Sequence, residues 1–232
     1  MGRIVVHEFI TLDGVIDNPA WSMEFGFDPK MGGAITQIMQ GSKALLMGRN
    51  TYELFAPTWS SRTAEEDPGA PFMNESPKYV VSATLTNPEW NNSTVLGAYS
   101  AEAIRSLKES VDGDLYVSGS GTLVRALLAD GLVDELHLFV YPLALGAGPR
   151  LFEDGLKTKF TLAASEAYEN GAIHLSYNRE IAPNTQSADR AAPRGRVGPP
   201  WRSSYPREAG RQRWRRLVVS AIESGSRSGC RL

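Results

Sequence analysis

The feature that most constrains this chain is a strand, a glycine turn and a helix encoded in succession within residues 114–131. Leu115 to Val117 form a short β-favouring run, Gly119 and Gly121 permit a tight turn, and apolar residues then recur at helical spacing until Gly131 ends the helix. The first N–H groups of a helix lack internal partners and carry partial positive charge, so this segment predicts a phosphate-binding turn. A purely structural turn is equally compatible with the sequence.

The turn differs from a standard dinucleotide fingerprint. Gly119-Ser120-Gly121 lacks the third glycine of G-x-G-x-x-G and lies about halfway along the chain, whereas that fingerprint usually opens its βαβ unit. The phosphate interpretation therefore depends on what other segments contribute.

Apolar segments typical of strands alternate with helical patterns along the first 150 residues, which favours a mostly parallel sheet covered on both faces. Residues 160–168 and 172–179 predict an antiparallel edge hairpin joined at Asn170-Gly171. Residues 57–77 are rich in proline, serine and acidic groups and predict a long loop. The expected fold class is α/β.

Charge divides the chain into two parts. Residues 181–232 hold 11 of the 24 basic side chains and three of the 26 acidic ones, and they are poor in apolar residues. This composition predicts a disordered basic tail, or alternatively an arm for nucleic acid or an acidic membrane, after a domain of residues 1–180. With Cys230 as the single cysteine and no apolar run long enough to span a membrane, a cytoplasmic protein is expected.

Small and polar residues follow three of the predicted strands: Gly48-Arg49-Asn50-Thr51, Ser82-Ala83-Thr84 and Gly119-Ser120-Gly121-Thr122. The carboxyl ends of parallel strands share one edge of a sheet, where α/β proteins bind ligands. Two glycine turns, a guanidinium and several hydroxyls together predict a polyphosphate cleft, and an arginine beside serines favours NADPH over NADH. Arg49 alone is equally compatible with a surface salt bridge.

Five segments, in their order and spacing, carry a resemblance to a known family: residues 11–16 (TLDGVI), 46–53 (LMGRNTYE), 81–82 (VS), 117–122 (VSGSGT) and 142–152 (PLALGAGPRLF). Through them, residues 3–179 resemble the dihydrofolate reductase superfamily, and within it the reductase domain of the bacterial bifunctional deaminase-reductase of riboflavin synthesis. The resemblance implies a three-layer α/β/α fold with a mostly parallel central sheet, NADPH as cofactor and a homodimer joined near the terminal strands.

The resemblance also implies roles for individual residues. The adenosine-side phosphate would be held by Arg49 and Ser82. The pyrophosphate would be held by the two glycine turns, through Gly48, Thr51, Gly119, Ser120, Gly121 and Thr122. The nicotinamide would be lined by Phe9, Leu12 and Ile16, and the substrate side closed by Leu145, Gly146, Gly148 and Pro149.

The chain departs from folate-reducing members at the acid that protonates the pterin, since the equivalent stretch of the first helix is Met31-Gly32-Gly33-Ala34. Asp28 lies nearby as a candidate substrate contact, although the cap of the following helix explains it better. Asp13 is likewise expected to hold its turn. No catalytic side chain is identified, so the proton would come from water or the substrate.

These observations predict an NADPH-dependent reductase acting on a small heterocyclic or imine-like acceptor, such as 5-amino-6-(5-phosphoribosylamino)uracil in riboflavin synthesis. The alternatives are a non-catalytic dinucleotide-binding regulator and, less favoured, a nucleic-acid binder that uses the tail.

The remaining candidate residues are ambiguous from sequence. His7, His137 and His174 have separations that match no metal site, and no metal is expected. Ser118 and Ser120 have no histidine nearby in the sequence to act as a base. Several aromatic side chains are compatible either with a pocket for a planar heterocycle or with ordinary packing, namely Trp21, Phe25, Phe27, Tyr52 and Trp59.

Overall fold

The computed structural model describes residues 2–180, and the predicted tail, residues 181–232, lies outside them. The strands are β1 (Ile4–Thr11), β2 (Ser42–Gly48), β3 (Lys78–Val81), β4 (Ser93–Gly97), β5 (Asp114–Ser118), β6 (Glu135–Tyr141), β7 (Phe160–Ala167) and β8 (Ile173–Arg179). The helices are α1 (Pro29–Gln40), α2 (Arg49–Trp59), α3 (Ala70–Glu75), α4 (Ala101–Ser110) and α5 (Gly121–Ala129), and a 3-10 helix spans Pro19–Phe25.

The strands form one sheet in the order β4-β3-β2-β5-β1-β6-β8-β7. Neighbours from β4 to β6 are parallel, whereas β8 pairs antiparallel with β6 and β7 pairs antiparallel with β8. Gly171, at a φ of 84°, turns the chain between β7 and β8. The expected mostly parallel sheet with an antiparallel edge hairpin is confirmed.

Apolar side chains fill the space on both faces of the sheet. On one face, Ile104 of α4 and Leu127 of α5 belong to one buried cluster with side chains of β1, β2 and β5. On the other face, Met39, Tyr52 and Met73 come from α1, α2 and α3 and join a second cluster. The layers are therefore α/β/α, as the resemblance implied.

The loop predicted for residues 57–77 is wrong at both ends. Helix α2 continues through Pro57 to Trp59, and α3 occupies Ala70–Glu75. Pro57 lies near the end of α2, where its missing N–H removes a single helical hydrogen bond. Met73 is 1% exposed within the second cluster. Burial of such side chains outweighs the loop-like composition of the segment.

The pairing of β1 creates an opening in the sheet. β1 pairs with β5 only from Ile4–Leu115 to His7–Ser118, but it pairs with β6 as far as Thr11–Tyr141. After Ser118 the chain turns away through Gly119, so residues 8–11 of β1 have no strand beside them on the β5 side. The end of β1 therefore faces the turn that leads into α5.

Within residues 2–180, no helix has the length and apolar character needed to cross a membrane.

Candidate functional site

The three predicted phosphate-contacting segments lie side by side. They follow β3, β2 and β5, which are consecutive in the sheet and parallel. Gly48 at the end of β2 is in register with Val81 at the end of β3, so Arg49 and Ser82 leave the sheet next to each other. The structure thus brings all three segments to one edge, which we call the cradle.

Ser120 joins the two glycine turns of the cradle. Its hydroxyl accepts a hydrogen bond from the amide of Gly48 at 2.9 Å and donates one to the Thr51 hydroxyl at 2.7 Å. Ser120 has a φ of 70°, an uncommon conformation for a residue other than glycine. One side chain therefore fixes the start of α2 relative to the start of α5.

The turn before α5 exposes backbone donors. The first helical bond of α5 runs from Val124 N to Ser120 O at 3.0 Å, so the amides of residues 121–123 have no partner inside the helix. A Cβ on Gly121 would lie 2.8 Å from Ile16 Cδ1, and Gly119 has a φ of 63°. Glycine is thus favoured at both positions, and the geometry suits close approach by a phosphate.

Arg49 and Ser82 lie at one side of the cradle, and their side chains differ in how firmly they are held. Arg49 Nη1 lies 3.0 Å from Glu53 Oε1, and the Arg49 side chain is 46% exposed. An exposed pair of this kind contributes little to stability, so the guanidinium can turn to an anionic ligand. The Ser82 hydroxyl accepts the amides of Thr84 and Leu85 at 3.2 and 2.9 Å and keeps its own proton as a donor.

The predicted nicotinamide residues surround the opening beside β1. Phe9 points to the α1 side of the sheet, where its ring contacts those of Phe139 and Tyr141. Ile16 is buried on the α5 side against Gly121. Leu12 is 66% exposed at the end of β1. Phe9 and Ile16 thus lie on opposite faces of the sheet, and Leu12 is exposed between them in the chain.

The predicted substrate-side loop is fastened to residues 11–16. The amides of Leu145 and Gly146 donate to the Asp13 carboxylate at 3.2 and 2.8 Å, and Pro149 O accepts from Ile16 N at 3.1 Å. A Cβ on Gly148 would meet Val15. The hydrogen bond from the Thr11 hydroxyl, followed by those amides, lowers the pKa of Asp13 to about 2. Asp13 therefore holds both loops, in keeping with its predicted turn role.

Asp28 is a helix cap. Its Oδ1 accepts the amides of Lys30 and Met31, its Oδ2 accepts the amide of Glu169, and the residue is buried. The structure therefore supports the capping interpretation of Asp28 over the alternative of a substrate contact.

The five aromatic residues considered for a pocket do not come together. Trp21 and Phe25 of the 3-10 helix pack on the ring of Tyr141, with centroids 5.4 and 5.5 Å away. The other three are elsewhere: Tyr52 and Trp59 belong to the second cluster, and Phe27 is 63% exposed beside Gly32. The rings that do pack together, which we call the aromatic wall, are those of Trp21, Phe25, Phe9, Phe139 and Tyr141.

Sequence reasoning missed a polar group at the end of β5. His7 Nδ1 lies 3.0 Å from the Tyr116 hydroxyl and 3.3 Å from the Ser118 hydroxyl, so Ser118 does have a histidine neighbour. Burial, followed by the nearby His137 and His174, lowers the pKa of His7 to about 3. A neutral imidazole with so low a pKa is a weak base, which argues against nucleophilic catalysis by Ser118.

The three histidines also converge in space. His7 and His137 are paired across β1 and β6, and His137 Nδ1 lies 2.9 Å from His174 Nε2. Within residues 2–180, neither these histidines nor other His, Cys, Asp or Glu side chains form a group of three or more that could hold a metal ion. Sequence separation concealed this convergence because the three residues lie on three different strands.

The sequence of this chain is similar to those of known proteins. Residues 3–174 match the family model described as the RibD C-terminal domain. The uncharacterized protein YyaP of Bacillus subtilis (strain 168) is 26% identical over 185 residues, which cover 76% of this chain and 94% of that protein.

Two solved structures share the fold. A putative riboflavin biosynthesis protein from Shewanella sp. PV-4 has a TM-score of 0.61 at 23% identity and covers 78% of this chain and 100% of its own. Dihydrofolate reductase from Enterococcus faecalis, complexed with NADP(H) and RAB-propyl, has a TM-score of 0.54 at 14% identity, covering 78% and 98%. The dihydrofolate reductase-like fold expected from the sequence is thus confirmed.

Proposed function

Because this chain belongs to the RibD C-terminal domain family, whose members are reductase-like, we propose that it is an NADPH-dependent reductase of a small heterocyclic or imine-like acceptor. The observation that carries the proposal is the cradle, in which Ser120 locks two glycine turns at the edge where the sheet opens. The same edge holds an arginine and a buried serine next to each other, beyond the paired ends of β2 and β3.

Different residues of the chain would bind different parts of the cofactor. The turn amides of residues 121–123 and the Thr51 and Ser120 hydroxyls would hold the pyrophosphate, while Arg49 and Ser82 would hold the phosphate on the adenosine ribose. Phe9, Leu12 and Ile16 would enclose the nicotinamide, which supplies the hydride when bound. The protein's contribution is to bind, to orient and to exclude water.

The acceptor would lie against the aromatic wall. Rings from β1, the 3-10 helix and β6 suit a planar heterocycle, and a riboflavin-pathway aminopyrimidine such as 5-amino-6-(5-phosphoribosylamino)uracil is the candidate we favour. Folate is disfavoured because Met31-Gly32-Gly33-Ala34 in α1 contains no acid.

Cofactor titration of the full-length protein tests the proposal. We expect NADPH to bind at micromolar concentration, measured by the fluorescence of its dihydronicotinamide ring. Arg49→Ala should weaken NADPH binding by about 10- to 100-fold through loss of a charge-assisted phosphate contact, and should change NADH binding less than about threefold. Arg105→Ala, an exposed arginine of α4, is the matched control and should change neither.

The outcomes separate the candidate functions. Absence of NADPH binding at tens of micromolar would contradict the reductase, and equal losses of NADPH and NADH affinity would contradict the phosphate role of Arg49. Tight binding without cofactor oxidation across a panel of pyrimidines and pterins would favour a dinucleotide-binding regulator.

We also propose a homodimer joined through the sheet edge. The outermost strand, β7, is exposed along almost its whole length, and Leu162 of β7 and Ile173 of the neighbouring β8 are 52% and 44% exposed. Such an edge offers unpaired backbone groups and apolar surface to a second copy. Light scattering of wild type and Leu162→Lys tests this arrangement, which a monomeric wild type would contradict.

A further inference from the structure

Glu8 is a buried carboxyl group that the cradle does not use. It lies on β1, is 3% exposed, and its Oε1 is enclosed with no hydrogen-bond partner. Its neighbours along the chain on the same face of the sheet are Val6 and Ile10, which belong to the first apolar cluster. A charged carboxylate in such a place would be costly, and even a neutral one is left partly unsatisfied.

Arg125 lowers the pKa of Glu8 electrostatically, but its guanidinium is bonded to other residues. Arg125 of α5 bonds Glu153 at 3.1 Å through Nε, the Thr122 hydroxyl at 3.3 Å and Arg150 O at 3.4 Å. β6 presents Leu138 in register with Glu8, and β5 contributes the Tyr116 hydroxyl within electrostatic range. Burial raises the pKa of Glu8 to about 8, with Arg125 only partly opposing it.

Glu8 also has a particular place in the fold. It is the first residue of β1 beyond the last pair with β5, His7–Ser118. The opening of the sheet therefore begins at Glu8, between the turn of Gly119 and Phe9. Glu8 is therefore the residue of β1 that lies at the start of the opening, beside which the nicotinamide is proposed to bind.

Two other acids, the buried Asp28 and the partly exposed Asp13, show what a structural role requires. Both oxygens of Asp28 accept backbone amides, and both oxygens of Asp13 are hydrogen bonded to residues of the two loops it joins. Glu8 makes no such contact through Oε1, and an apolar residue of similar volume would fill the position without the penalty. A molecule bound in the opening would explain this carboxyl group better than a structural role does.

We propose that Glu8 is the electrostatic partner of the nicotinamide, neutral while the reduced ring is bound and deprotonated when the cationic oxidised ring is bound. This proposal rests on the proposed function. The O–H bond of Glu8 breaks when NADP⁺ replaces NADPH, and the proton passes to solvent; it returns when NADP⁺ leaves. Attraction between a carboxylate and a cationic ring in a weakly screened site makes the exchange favourable.

Calorimetry measures this exchange without any acceptor. NADP⁺ and NADPH are titrated separately into the full-length protein near pH 7.5, in buffers of different ionisation enthalpy. We expect NADP⁺ binding to release roughly half a proton per site more than NADPH binding. The ratio of the Kd for NADP⁺ to the Kd for NADPH should fall about tenfold between pH 6.5 and pH 9.

Glu8→Gln should abolish both the extra proton release and the pH dependence of the ratio. Glu109→Gln, an exposed glutamate of α4, is the matched control and should preserve both. If Glu8→Gln does not fold, infrared difference spectra of the wild type replace it: exchange of NADPH for NADP⁺ should remove the C=O band of a protonated carboxyl.

The results of these experiments distinguish the role of Glu8 from the proposed reductase function. Equal proton release by the two cofactors, or an unchanged carboxyl band, would overturn the role of Glu8 while leaving the reductase proposal intact. Failure of both cofactors to bind would overturn the reductase and the role of Glu8 together. A Glu8→Gln variant that still shows the wild-type pH dependence would assign the proton to another group and overturn the proposal.

Discussion

The cradle and the aromatic wall are built differently. The cradle consists of backbone amides and small side chains at the ends of neighbouring parallel strands, joined by the Ser120 hydroxyl. The aromatic wall consists of rings contributed by the 3-10 helix, β1 and β6, which touch at centroid distances near 5.5 Å. One side presents polar backbone and the other presents apolar faces.

Because of this difference, substitutions in the two regions should affect stability and ligand binding to different degrees. Most cradle residues are small, and removing their side chains leaves little empty space, so changing them should affect ligand affinity more than folding. Residues of the aromatic wall are large, and Phe139 and Tyr141 are fully buried, so these two should affect folding more than cofactor affinity. The predictions below test this separation.

Phe139→Ala should have the largest effect on stability. Phe139 is 0% exposed and stacks on His174 with centroids 4.3 Å apart, while His7 meets its ring edge to face at 5.0 Å. We expect the free energy of unfolding to fall by about 3–5 kcal/mol, measured by urea denaturation, because the cavity cannot collapse among rigid rings. NADPH affinity should change less than about threefold in the folded fraction. A loss below about 1 kcal/mol would contradict the assignment of Phe139 to the core.

Glu8→Gln should stabilise the protein in a pH-dependent way. The pKa of Glu8 is raised from 4.5 to about 8 in the folded state. Between those values the unfolded chain releases its proton first, so wild-type stability falls as pH rises through that window and levels off above it. We expect the stability advantage of the variant to grow by about 3–4 kcal/mol between pH 5 and pH 8.

Thermal unfolding at pH 5 and pH 8 measures that advantage. His7, whose pKa is lowered to about 3, affects both proteins equally and cancels in the difference. Glu109→Gln should show no such growth, and an advantage of Glu8→Gln that is the same at both pH values would show that Glu8 is ionised in the folded protein.

Ser120→Gly tests the cradle alone. Glycine accepts the φ of 70° at this position but removes the hydroxyl that joins Gly48 and Thr51. We expect NADPH affinity to fall about tenfold, with a change in unfolding free energy below about 1 kcal/mol. Asn92→Gly is the matched control, since Asn92 also has a positive φ of 57° but precedes β4 at the other end of the sheet. Equal affinity in wild type and Ser120→Gly would mean that the two turns are held without this side chain.

The sequence predicted the cradle far better than the aromatic wall, and the physical reason is locality. Glycines and capping residues such as Asp28 act on the backbone within a few positions, so their patterns reveal turns and helix starts directly. The parallel sheet then brings the ends of β2, β3 and β5 to one edge.

The aromatic wall and the His7 group depend on contacts between distant residues. Tyr141 meets Trp21 across the width of the site, and His7 meets Ser118 across 111 positions. A sequence pattern predicts that such side chains are buried but does not indicate their neighbours. The one available signal was the pair His7-Glu8, two polar residues inside the otherwise apolar strand β1.

Leu12→Ala should have the smallest effect of these substitutions on stability and on NADPH affinity. It tests a single proposed contact with the nicotinamide. Leu12 is 66% exposed, and its amide is fixed by a hydrogen bond to Leu143 O at 2.8 Å, so the backbone should keep its place when the side chain is removed. We expect a change in unfolding free energy within about 0.5 kcal/mol. NADPH affinity should fall about two- to threefold, because the nicotinamide would lose one apolar contact. The buried residue Ile16 provides the contrast, since Ile16→Ala should cost about 2–4 kcal/mol in stability. If Leu12→Ala leaves the affinity unchanged while Ile16→Val lowers it, the nicotinamide is held from the α5 side alone, and Leu12 does not belong to the cofactor site.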